Sequence, residues 1–149
     1  MRRILSLTAA GGALVLVLAG CAPAAVDLDA ADAWFLAVQD ERAGATDLIG
    51  AAGGQTASAD AERAVSEGTT LTLGEPVPVG AVEARCFGGR TATIRVEVAS
   101  SRGSIAAEAE IACDEQPQRI EVADARPATS ITVDAWAEPA TRYYAEILP

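Results

Sequence analysis

The chain has 149 residues, a formal net charge of −10 and no histidine, lysine or asparagine. Without histidine and lysine it has no imidazole base, no Ser-His-Asp triad, no histidine-ligated metal site and no lysine for a phosphate-binding loop. Its surplus of acidic groups would repel nucleic acid and anionic lipid head groups. These exclusions predict a non-enzymatic protein that uses no cofactor and no metal and does not bind nucleic acid.

The first 20 residues have the layout of a secretory signal peptide. Arg2 and Arg3 supply positive charge, an apolar run follows over residues 4–19, and small residues precede Cys21. A helix over that run would be about 24 Å long, which is shorter than a hydrocarbon core of roughly 30 Å. The pattern also fits an ordinary secretory signal that is cleaved off, or an uncleaved membrane anchor, and these remain alternatives to a lipoprotein signal.

The four residues Leu18-Ala19-Gly20-Cys21 resemble the lipobox of bacterial lipoproteins. The resemblance implies cleavage before Cys21 and a diacylglycerol on its sulfur. Two acyl chains hold a protein stably on a bilayer. We therefore expect a lipid-anchored protein on the extracytoplasmic face of the cell membrane. The lipid bilayer is then one partner, and an envelope protein is a further candidate partner.

The mature chain divides into three predicted segments. Residues 21–29 are the lipidated cysteine and a short Ala/Pro tether, residues 30–68 are a helical segment, and residues 69–149 are an antiparallel β domain with one disulfide. A mature length of about 130 residues suits one domain.

The helical segment begins with Asp29 as a predicted N-cap and is interrupted at Gly44. A further short turn is expected over residues 46–52, ended by Gly53-Gly54. A second, alanine-rich helix is expected over residues 58–68. The apolar face of the first helix consists of Leu28, Ala31, Phe35 and Val38, with Trp34 beside it.

From residue 69 the apolar residues recur at every second position, which predicts β-strands. Seven short runs over about 80 residues predict an antiparallel sandwich, so the fold is mainly β (α+β overall). The alternative is a helix with a curved sheet around an internal pocket, as in nuclear-transport-factor-2-like folds. Gly74-Glu75-Pro76, Gly88-Gly89 and Arg102-Gly103 mark turns or strand edges. The runs are residues 69–73, 79–86, 91–99, 105–113, 120–122, 131–133 and 143–148.

Cys86 and Cys113 are predicted to form a disulfide, because export places them in an oxidising compartment. In the chain-entropy model such a bridge contributes about 3.5 kcal/mol. Reactive thiols or a metal pair are the alternatives, and neither a C-x-x-C spacing nor a histidine supports them.

Four short segments resemble a type of small lipoprotein common in actinobacteria. They are Cys86-Phe87-Gly88-Gly89, Ile111-Ala112-Cys113-Asp114, Ile131-Thr132-Val133 and Tyr143-Tyr144. The resemblance implies an envelope location and a β-sandwich-like domain, and it implies no activity.

Glu108 and Glu110 alternate on a predicted strand, so their carboxylates project from one face about 7 Å apart. That separation overlaps the requirement of an inverting glycosidase. Alternating acids are nevertheless typical of a solvated strand face, with Arg95 as an expected partner across the hairpin. No catalytic residue is therefore predicted. Asp114-Glu115 is interpreted as turn chemistry.

Asp27, Asp29 and Asp32 resemble the start of a calcium loop but lack its glycine and distal glutamate. Helix capping and solvation explain these residues better. The large aromatic residues are expected in the core or in a seam between helix and sheet; they are Trp34, Trp136, Tyr143 and Tyr144.

The leading functional hypothesis is a binding or accessory module at the cell envelope. The alternative is small-ligand binding in a pocket between helix and sheet, lined by Trp34, Phe35 or Trp136. A carboxylate-driven glycan hydrolase at Glu108 and Glu110 is a third hypothesis.

Overall fold

The computed structural model describes residues 25–58, 68–123 and 127–149. Cys21 lies outside these ranges, and so do residues 59–67 of the helix predicted over residues 58–68. One helix and eight strands occur in the described ranges. They are α1 (Leu28–Arg42), β1 (Gly50–Gln55), β2 (Thr69–Pro78), β3 (Ala81–Cys86), β4 (Thr91–Ser100), β5 (Gly103–Ala112), β6 (Gln118–Glu121), β7 (Pro127–Ala137) and β8 (Arg142–Leu148).

The strands form two four-stranded antiparallel sheets. Sheet 1 has the order β1-β8-β3-β6, and sheet 2 has the order β2-β7-β4-β5. The predicted mainly β sandwich is therefore confirmed, and the curved-sheet alternative is not the fold. Each of the seven predicted runs contributes to a strand, and β1 is an additional strand.

The core lies between the sheets, where the alternating apolar residues of both sheets meet. Ile94 and Val96 on β4 and Ile131 and Val133 on β7 are all at most 1% exposed. Their neighbours at odd positions on β4, such as Arg95, point to the other face and are half-buried. The period of two that predicted these strands therefore separates core from surface.

Strand β8 is buried on both faces, which is unusual for an antiparallel strand. Tyr143, Ala145 and Ile147 belong to the core, whereas Tyr144 and Glu146 are buried on the opposite face. Contacts between α1 and β8 show that the helix covers this opposite face of sheet 1. The layers are therefore helix, sheet 1 and sheet 2.

Helix α1 begins two residues earlier than predicted. Asp27, not Asp29, is the N-cap, and its carboxylate accepts a hydrogen bond from the Ala30 backbone N–H at 3.1 Å. Leu28, predicted on the apolar face, is the first residue of the helix and is 46% exposed. The predicted interruption at Gly44 is confirmed, since Gly44 has a φ of 80° just after the helix.

The expected helical turn over residues 46–52 and the break at Gly53-Gly54 are wrong, because residues 50–55 form β1. This strand pairs with β8 from Gly50–Ile147 to Gln55–Arg142. A Cβ on Gly53 would lie 2.7 Å from Cε2 of Phe35 and 2.9 Å from the Tyr143 carbonyl oxygen. The glycine that suggested a break thus lets helix and strand approach closely.

The predicted disulfide between Cys86 and Cys113 is confirmed. Cys86 ends β3 in sheet 1 and Cys113 follows β5 in sheet 2, so the bond ties the two sheets together. The Gln118 side chain closes the same edge: its amide nitrogen donates to the Ala112 carbonyl at 2.7 Å, and its amide oxygen accepts from the Ala112 N–H at 2.9 Å.

We predict that Gly53→Ala lowers the free energy of unfolding by about 1–3 kcal/mol, because the new methyl group would overlap a backbone oxygen that cannot move aside cheaply. Chemical denaturation of the purified protein measures the loss. Gly54→Ala is the matched control, since its Cβ would meet nothing closer than 4.0 Å. Equal stabilities of the two variants would contradict the packing argument.

Candidate functional site

The described chain enters the sandwich at one end, which we name the entry end. It contains the β3–β4 turn and the β7–β8 loop, joined where the Thr141 hydroxyl donates to the Phe87 carbonyl. A Cβ on Gly88 in this turn would lie 3.1 Å from Cγ2 of Val26. The residues just before α1 therefore pack against the entry end. The opposite end, named the far end, contains loop 43–49, the β4–β5 turn and the end of β2.

The aromatic residues occupy the core and the seam between α1 and sheet 1, as predicted. Trp34 contacts Phe87 with ring centroids 6.0 Å apart, and Phe35 contacts Tyr144 edge-on at 6.3 Å. Trp136 is only 2% exposed. Of the three rings that the sequence suggested for a ligand pocket, Trp136 lies in the core, and Trp34 and Phe35 pack in the seam.

A buried ionic cluster lies in the same seam. The Glu146 carboxylate accepts from the Arg42 Nε at 2.5 Å and from Nη2 of Arg85 at 3.4 Å. The Arg85 guanidinium also lies 5.9 Å from the centre of the Tyr144 ring. Burial raises the pKa of Tyr144 above its ordinary value. This cluster joins α1, β3 and β8, and we interpret it as structural.

A second ion pair marks the entry half of the seam. Asp32 accepts a hydrogen bond from the Arg142 Nε, and the Arg142 guanidinium lies 6.0 Å from the centre of the Phe35 ring. The hydrogen bond from Arg142 holds the pKa of Asp32 below its ordinary value. These residues and Leu36 line a groove of about 230 Å³ beside α1.

A larger groove, of about 480 Å³, opens at the far end. We name it the far-end groove. Four half-buried aliphatic side chains form its walls, and Asp47 and Glu75 are exposed at its rim. The aliphatic residues are Leu48, Ile49, Leu73 and Val77.

An irregularity in β2 creates this groove. Pairing of β2 with β7 is interrupted between Thr72 and Val77, whose partners are Ser130 and Ala128. Four residues of β2 therefore lie opposite Thr129 alone, so the regular pairing of the two strands is interrupted there. Residues 74–76 suggested a turn or edge in the sequence, but only the register shows the bulge.

Glu108 and Glu110 are exposed on the outer face of sheet 2. The register places Glu108 directly opposite Arg95, as expected, and Arg95 also lies 3.5 Å from Glu97. The two acids thus belong to a charged strand surface and do not line the grooves described above. Asp114 accepts from the Gln116 N–H at 3.1 Å, which is the turn chemistry that was predicted.

No three cysteine or acidic side chains of the described residues are close enough to hold a metal ion. The aspartates that resembled a calcium loop have other roles, because Asp27 caps α1 and Asp32 binds Arg142. Nor does any helix in the described ranges have the length and apolar character needed to cross a bilayer.

No family model, curated protein or solved structure matches this chain. A function must therefore be inferred from the residues and the geometry above. Two features are relevant. One is the entry end, where Val26, which follows Cys21 closely in the sequence, packs against the β3–β4 turn. The other is the far-end groove.

We predict that Glu146→Ala lowers the free energy of unfolding by about 3 kcal/mol, because it leaves the largely buried Arg85 without its carboxylate partner and leaves Arg42 with only the exposed Asp47. Denaturant titration measures the change. Glu121→Ala is the matched control: Glu121 also pairs with an arginine, Arg119, at 2.7 Å, but its side chain is 72% exposed. That variant should lose less than about 1 kcal/mol. A similarly small loss for both variants would contradict a structural role for the buried cluster.

We predict that the Asp32–Arg142 pair makes stability depend on acid pH. Because the folded pKa of Asp32 is below the unfolded value near 3.8, the pair stabilises the fold fully above that value. The stabilisation is lost as pH falls through the folded pKa. Denaturation midpoints of the parent and Asp32→Asn should therefore differ near pH 7 and converge towards about pH 2. A difference that stays constant over this range would contradict the prediction.

Proposed function

We propose that this protein is a lipid-anchored, extracytoplasmic lipoprotein that acts as a non-enzymatic binding or accessory module at the cell envelope. The observation that best supports the proposal is the short distance along the chain between Cys21 and the entry end. Val26, which packs beside Gly88, follows Cys21 by five positions. Such a segment spans at most about 18 Å when fully extended.

A diacylglycerol on Cys21 would hold the entry end close to the bilayer. The tether is too short to let the domain turn freely, so the far end would point away from the membrane surface. A domain of this kind can present a binding surface to a neighbouring envelope protein. The far-end groove provides such a surface.

The rigid sandwich and the disulfide suit an oxidising, protease-exposed compartment. The chemistry of the chain supports a binding role over an enzymatic one. Histidine and lysine are absent from the sequence, and the acids Glu108 and Glu110 lie on an exposed strand face. A glycan hydrolase would need two carboxylates that flank a bound sugar in a cleft.

We predict that Cys21→Ser transfers the protein from the membrane fraction to the soluble extracytoplasmic fraction or the medium, because no thiol remains to accept the lipid. Fractionation after a high-salt wash, followed by mass spectrometry of the N-terminal peptide, measures both location and acylation. A variant with Cys86→Ser and Cys113→Ser is the matched control and should stay in the membrane fraction. If the Cys21→Ser protein had lost its first 20 residues and still remained membrane-bound after the salt wash, the lipid anchor would be refuted.

A further inference from the structure

We propose that the far-end groove binds an extended segment of an envelope protein in which an aliphatic side chain is flanked by arginine or lysine. The inference rests on the proposed function for the location of the partner. It names the chemistry that the groove recognises, which the sequence alone did not indicate.

The shape of the groove favours an aliphatic side chain. Leu48 and Ile49 line it from loop 43–49 and Leu73 and Val77 line it from β2, and all four are half-buried. A side chain inserted among them would remove apolar surface of both partners from water. The volume of about 480 Å³ suits a few side chains and is too small for a folded domain.

The bulge in β2 favours an extended peptide over a compact ligand. Between Thr72 and Val77 the main chain is released from its pairing with β7. A Cβ on Gly74 would meet nothing within 4 Å, so the backbone at the bulge is accessible. Main-chain groups at a strand edge can pair with an added extended segment, and neighbouring pockets then select its side chains.

The acidic rim of the groove favours basic residues on either side of the aliphatic residue in the partner segment. Asp47 in loop 43–49 and Glu75 in β2 both line the groove, and none of the described residues that line it is basic. Asp47 already accepts from Arg42 at 3.2 Å, and the exposed Glu75 provides the rim carboxylate that we assign to the partner's cation. Such a rim attracts basic flanking residues and repels acidic ones.

Peptide titrations on the full-length, isotope-labelled protein in detergent micelles test this proposal. The probes are three short peptides with blocked ends, in which arginine alternates with leucine, arginine with serine, or glutamate with leucine. We expect the arginine–leucine peptide to bind most tightly and to shift the backbone amide resonances of Leu48, Leu73 and Glu75.

Glu75→Arg should weaken binding of the arginine–leucine peptide roughly threefold to tenfold, because a rim attraction becomes a repulsion. Glu110→Arg is the matched control, since it changes the net charge equally on the outer face of sheet 2. It should alter the Kd by less than about twofold. Glu75→Gln provides a second, milder variant, and the amide spectrum of each protein shows whether it is folded.

Several results would overturn the proposal. Equal binding of the arginine–serine peptide, or amide shifts spread over the acidic surface, would show charge attraction without a groove. Equal binding of the glutamate–leucine peptide would show an apolar small-ligand site instead, and no binding of any peptide would show no such site. None of these results depends on Cys21, so failure of the groove and failure of the lipid anchor are separable.

Discussion

The arrangement of the domain depends on the ion pairs that the buried Glu146 carboxylate forms with Arg42 and Arg85. Strand β8 lies inside sheet 1 and is covered on both faces, so a charge at this position must be compensated where it is buried. Arg42 at the end of α1 and Arg85 on β3 provide that compensation. The same contacts fix the helix on the sheet. Since the helix begins beside the β3–β4 turn, they also fix the end at which the chain enters.

The two ends of the sandwich consequently differ in their construction. At the entry end, the Cys86–Cys113 disulfide joins the sheets, and Thr141 joins the β7–β8 loop to Phe87. At the far end, β2 leaves its pairing and a groove with aliphatic walls opens beside it. A tied end and a bulged end on one core would separate the two tasks that we propose, attachment at the entry end and recognition at the far end. Bulges commonly occur where a strand must re-aim side chains for function.

The sequence predicted most of the fold, because strands with one buried face show their period directly. The runs containing Ile94 and Ile131 were located in this way. Strand β1 was not predicted, because glycine and alanine carry no apolar period and Gly53 is explained only by its distant neighbours Phe35 and Tyr143. The far-end groove depends on a register shift between β2 and β7, which no local pattern encodes. The role of Glu146 could not be predicted from the sequence either, because its partners are 61 and 104 residues away.

Net charge links the proposed anchor to the proposed groove. All 21 acidic side chains follow residue 20, so the mature domain would be repelled by anionic head groups. Electrostatics alone would therefore move the domain away from such a bilayer, and a covalent lipid would have to oppose that repulsion. If a short tether holds the entry end at the bilayer, repulsion between the acidic domain and the head groups favours an orientation in which the far end points away from the membrane. The far-end groove would then face outward, and its acidic rim would meet basic segments of envelope proteins before the rest of the domain does.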